Sequence, residues 1–146
     1  MNPANVQPPE STAASVAELI RAVLESIDQS LSTTRAMATQ VAAQLSAGDQ
    51  AMALRDLETC LANCCQVHAA LLQVMDVQGL SLQNLARTRP ATAAKQVHLA
   101  RTLGRLKSCL QQRDYVLLAD LLAGELPAGL DAWDDLRQTL AEHANG

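Results

Sequence analysis

Between Leu57 and Val74 the chain reads LETCLANCCQVHAALLQV, which gathers three of its four cysteines and one of its three histidines. Thiolate and imidazole are zinc-type ligands. On a helix, Cys60, Cys64 and His68 fall at i, i+4 and i+8 and make a row. That row rises about 12 Å, whereas zinc ligands must lie about 2.0–2.3 Å from one ion. One ion therefore takes Cys60 with Cys64, or Cys64 with His68, and needs its remaining ligands from another helix. Cys109 is the only other thiol, and it lies about a quarter-turn off the leucine row of its own segment. The alternative is plain packing, because free cysteine behaves as a small hydrophobe and is among the most buried residue types. Cys64 and His68 fall on an apolar row with Cys60 and Cys65 beside it, so packing is the stronger reading. A buried His68 then needs a hydrogen-bond partner, for which Thr34 or a backbone carbonyl is the candidate.

Other chemistry finds no pattern. There is no CxxC, HExxH, Gly-rich phosphate loop or GxSxG. The carboxylates are scattered over polar helix faces, and none stands at Glu-x-x-His spacing from His68. The expectation is a non-enzymatic protein with no cofactor. The alternative is a metal- or thiol-based sensor that uses Cys60, Cys64, His68 and Cys109.

The elements that would carry these residues are helical. Ala, Leu and Gln dominate, while the chain has no Phe, one Tyr and one Trp, and strands favour the β-branched and aromatic types. At 146 residues it fits one domain. Residues 1–14 carry three of the five prolines and read as a flexible leader, with a single helical-bundle domain over 15–146. Ser15 and Glu18 have capping-box spacing. Ile20, Leu24, Ile27, Leu31, Thr34, Ala38, Val41 and Leu45 then form a heptad-like row that ends before Gly48. A second helix, from about Gln50 to Val77, has the row Leu54, Leu57, Leu61, Cys64, His68, Leu71 and Met75. A short helical turn is expected around Leu82 and Leu85, and a third long helix on Leu99, Leu103, Leu106 and Leu110. Asp114 is one place for that helix to break, but Gly124 gives it the length of the first two and is preferred. The fold class is thus an all-α antiparallel bundle of three long helices plus a shorter one starting near Pro127. A regular up-down four-helix bundle is the alternative.

The net charge of −4 hides a segregated layout. No acidic residue lies between Asp76 and Asp114, where Arg87, Arg89, Lys95, Arg101, Arg105, Lys107 and Arg113 all fall. From Asp114 onward seven carboxylates face the single Arg137. Lys95, His98, Arg101, Arg105 and Arg113 form a basic face whose ordinary role is to pair with acidic neighbours and set helix register. Nucleic acid is not the expected partner of an acidic chain without aromatic stacking residues. No run of about 18 apolar residues suggests a membrane span. No export signal is evident in MNPANVQPPESTAAS, so the cytoplasm, where thiols stay reduced, is the expected compartment.

The last apolar row is Leu130, Trp133, Leu136 and Leu140. Either it folds back on its own bundle, or it is a partner-binding face with Trp133 as anchor. Just before it, DYVLLADLLAGELPAGLDAW (Asp114 to Trp133) resembles a segment of a family of uncharacterised bacterial helical proteins, in which a D-Y-V-x-L-A-D-L-L run precedes a Glu-Leu pair, a Pro and a Trp. The resemblance implies a bacterial, cytosolic, helical protein and brings no activity or site residues. In overall profile the chain is also similar to flagellar and type III export chaperones. Together these lead to the expectation of a chaperone- or adaptor-like module that binds another protein, or itself as a homodimer.

Overall fold

The computed structural model describes residues 9–145, with side chains from Ser15 onward. Every regular element among them is helical: α1 (Pro9–Ser46), α2 (Gln50–Val77), α3 (Leu82–Thr88), α4 (Pro90–Gln112), α5 (Tyr115–Asp120), a π-helical turn (Leu121–Glu125), α6 (Leu126–Gly129) and α7 (Asp131–Asn145). The all-α bundle expected from composition is therefore the fold.

At 38 residues α1 is the longest element, about 57 Å at 1.5 Å per residue. Leu24, Ile27, Leu31, Thr34, Ala38 and Val41 are buried along it, with Ile20 and Leu45 half-buried at the two ends of the row. The helix starts earlier than predicted. Pro9 opens it, because proline's fixed φ suits the first helical turn, and Glu and Ala residues carry it through Ser15. The expected leader is thus helical over 9–14, Ser15 lies inside the helix and not at its N-cap position, and residues 1–8 fall outside the described part.

Gly48, at φ +84°, reverses the chain into α2, which packs antiparallel to α1. After α2, Gly79 at φ +70° makes the next turn. The Ser81 side chain then caps α3 by accepting from the Asn84 amide, and Pro90 starts α4 at its first turn.

The preferred boundary of the third long helix is corrected. It stops at Gln112, where Arg113 takes a left-handed conformation (φ 56°), and the Asp114 carboxylate accepts from the Leu117 amide to start α5. Nothing breaks at Gly124. Instead the chain widens into the π turn, with the Leu126 amide bonded back to the Leu121 carbonyl. The widening holds one extra residue, so Glu125 stays exposed while Leu118, Leu121, Leu122, Leu126 and Leu130 are all buried. Pro127, expected at the start of the last helix, lies within α6, and α7 begins at Asp131.

Helix α7 is the central member. It touches α1, α2 and α4, and residue pairs fix its direction. Arg35 with Asp131 and Arg21 with Asn145 set it antiparallel to α1, and Arg89 with Glu142 antiparallel to α4. His68 against Trp133 and Gln78 bonded to the Leu140 carbonyl set it parallel to α2. Helices α2 and α4 are consequently antiparallel. Both rest on α7, yet none of their Cα atoms approach within 8 Å of each other.

Candidate functional site: an apolar groove between α2 and α4

Packed helices stand about 8–10 Å apart, so two that share a neighbour without touching leave a trough. Here it is a groove of about 670 Å³. Its α2 wall is Leu61, Cys64, Cys65, His68, Leu71 and Leu72, and its α4 wall runs from Gln96 to Leu110. Trp133 and Leu136 of α7 form the floor, with Leu82 at one end. Leu72, Leu82 and Val97 are 41%, 52% and 54% exposed, which for side chains this apolar leaves much of the lining wet.

The groove explains why the predicted rows of α2 and α4 are shifted. On α2 the buried set is Ala53, Leu57, Cys60, Cys64, Val67, Leu71, Val74 and Met75. Leu61 is only half-buried and His68 is exposed, contrary to the core positions predicted for them. On α4 the buried set is Thr92, Leu99, Thr102, Leu106 and Cys109, while Leu103 and Leu110 face the groove half-covered. Each helix therefore carries two adjacent apolar rows, one sealed in the bundle and one open. Neither buried row contains the residues one step further round, because no helix covers that side.

The cysteines divide in the same way. Cys60 and Cys64 are buried neighbours, and the Cys60 thiol donates to the Thr34 carbonyl at 3.8 Å. Its hydrogen bond with Cys60, reinforced by burial, pushes the Cys64 thiol far above its usual range, so it remains a protonated packing group. Cys109 is buried on α4, and Cys65 is exposed on the groove wall. Among the described residues no three His, Cys, Asp or Glu side chains stand close enough to hold one ion, so Cys60, Cys64, His68 and Cys109 are not brought together as a ligand set. His68 does not bond Thr34, whose hydroxyl donates to the Ser30 carbonyl at 2.7 Å. It lies tilted against Trp133 instead, ring centroids 5.9 Å apart.

The last apolar row folds back. Leu130, Trp133, Leu136 and Leu140 are at most 4% exposed, so they are core and do not form a free partner-binding face; Trp133 and Leu136 contribute only as the groove floor. Around α7, Thr92 donates to Asp135 at 2.7 Å, and the Gln96 amide gives its hydrogens to the carbonyls of Ala132 (2.7 Å) and Thr92 (3.3 Å).

The basic face splits. Lys95 pairs with Asp135 at 3.6 Å and Arg105 with Glu125 at 2.6 Å, the register-setting role expected of it. Arg101, Lys107 and Arg113 form no ion pair among the described residues, and neither does His98.

Sequence reasoning missed the groove itself. The signal that could have found it is the width of the apolar band on α2. That helix alone among the described ones is long and apolar enough to cross a membrane, with an 18-residue stretch of mean hydropathy 1.2, yet only 33% of that stretch is buried. Compared with protein-family models, curated proteins and solved structures, the chain matches none.

Proposed function

We propose that this chain is a non-enzymatic protein-binding module, chaperone- or adaptor-like, that receives a helical segment of another protein in the α2/α4 groove. The observation that carries this reading is the groove: two antiparallel helices resting on a third with no Cα atoms within 8 Å of each other, their facing sides apolar and open. Amphipathic helices bind other proteins by laying an apolar face into such a trough. Leu61 to Leu72 and Gln96 to Leu110 span about 17 and 21 Å, the length of a three- to four-turn helix. Among the described residues no three His, Cys, Asp or Glu side chains gather to hold a metal ion, and the groove lining is mostly leucine, which supports binding over catalysis. Four free cysteines fit a reducing compartment, and the cytoplasm of a bacterium is the setting we assign.

Cys65 supplies the test, since it is the exposed thiol and lies on the groove wall. A benzophenone maleimide attached there should cross-link one discrete polypeptide in host extract. Val97→Asp, a change on the opposite wall, should remove the product. Cross-links that match those from a probe on the far side of α4 (Ser108→Cys in a Cys65→Ala background) would sink the reading.

A further inference from the structure

The groove contains one formal charge. Lys107 is the only Asp, Glu, Lys or Arg side chain in its lining, and it has no ion-pair partner among the described residues. Because α2 and α4 are antiparallel, Lys107 stands at the end where Leu110 faces Leu61. Arg113 closes α4 just beyond, also unpaired. Against these two cations the neighbouring stretch of α2 offers one carboxylate, Glu58, a turn before Leu61. Asp114, next to Arg113 and the cap of α5, offers another, so the charges around this end balance and Lys107 is the one charged side chain that lines the groove itself.

Any helix that fills the groove must settle with this ammonium. Covering it with an apolar or cationic residue removes water from a charge and supplies nothing in return, which is costly unless the group is paired. A carboxylate placed there makes a charge-assisted hydrogen bond in a partly desolvated site, among the stronger polar contacts available. Of the groove's other polar groups, the Gln96 amide nitrogen donates to two backbone carbonyls and the His68 ring lies tilted against Trp133. A small-molecule site needs several convergent polar groups to orient its ligand; here the lining is mostly leucine, with Lys107 its one Asp, Glu, Lys or Arg side chain. The groove is also open along its length between two helices, which suits a helix better than an enclosed chain.

Resting on the docking reading above, we infer that the occupant is an amphipathic helix of a partner protein, three to four turns long, whose apolar stripe is flanked at one end by a Glu or Asp that meets Lys107.

The test uses the full chain and two fluorescein-labelled helical peptides of about 14 residues. Both carry the same leucine stripe; one has Glu and the other Lys flanking its last turn. Anisotropy titration should show the Glu peptide binding at least about tenfold more tightly, the scale of one charge-assisted contact. Lys107→Glu, a change at an exposed position whose fold is checked by circular dichroism, should reverse the preference. Equal binding of both peptides, unmoved by Lys107→Glu, overturns the carboxylate inference and leaves the docking reading standing. If neither peptide binds while dodecanoate does, the groove is a small-molecule site and both readings fall. A dimer in sedimentation velocity that excludes the peptides makes a second copy the occupant, and the inference is again overturned.

Discussion

On α2, Leu57, Cys60, Val67 and Val74 are buried within the bundle, whereas Leu61, Cys65, His68 and Leu72 look into the groove. The two sets lie one step apart around the same helix and draw on similar residue types. On α4 the same contrast separates Thr102 and Cys109 from Leu103 and Leu110, with Leu99 and Leu106 at the boundary, buried and yet part of the groove lining. A free-energy difference follows from what each set touches. Side chains on the sealed side have lost their water and gained close-packed neighbours. Those on the open side have kept part of their hydration, so their apolar area remains available to a partner. Stability and binding capacity are thus written on the same helices in adjacent rows.

The largest effect that sharpens this comparison is on stability. Leu57→Ala, at a side chain 2% exposed in the sealed row, should cost about 2–5 kcal/mol. Leu103→Ala, in the open row, should cost about 1 kcal/mol, since only part of its area leaves water on folding. Urea denaturation of the two variants measures the gap; equal losses would mean that the groove is closed in solution.

A smaller effect of opposite sign is expected at Gly104. It lies inside α4, and a Cβ added there meets nothing within 4 Å. Gly104→Ala should therefore raise stability by about 1 kcal/mol, the helix-propensity difference, read as a higher denaturation midpoint with an unchanged slope. A loss instead would reveal a neighbour covering that side of α4.

The smallest concerns the charges. Arg105 and Glu125 form a solvent-exposed pair, and Arg105→Ala should cost between about 0 and 1 kcal/mol. Thermal melts at low and high salt check it, with any difference from the parent chain shrinking as salt screens the pair. A salt-independent loss above that range would make the basic face a packing element, not a register-setting one.

Much of the fold was legible in residue order. The α1 row from Leu24 to Val41 is buried as its spacing predicts, because α1 packs against partners along most of its length and a single-sided row leaves no choice of face. The turns at Gly48 and Gly79 were legible for a local reason, since both need positive φ. Where α4 would end was a contest between two signals. The Asp114 cap prevailed over length matching because a satisfied helix end is local, whereas nothing physical requires helices of a bundle to be equally long. Gly124 was misread as a break. A glycine permits a turn without compelling one, and the leucines around it gain more by staying helical and shifting register through the π turn.

The candidate site was less legible. Its residues were in view, but the row of Leu61, Cys64 and His68 straddles the boundary between sealed and open faces. Periodicity gives the direction of an apolar band and its width. It does not say which neighbours exist to cover it. By itself the sequence determined the helices, their caps, the charge segregation and the apolar band on α2, because these depend on residues a few positions apart. Only the tertiary structure decided that α7 would lie between α2 and α4 and hold them apart. That choice rests on contacts between residues some 60 positions distant in sequence, such as His68 with Trp133 and Gln78 with Leu140, whose energies no local pattern records.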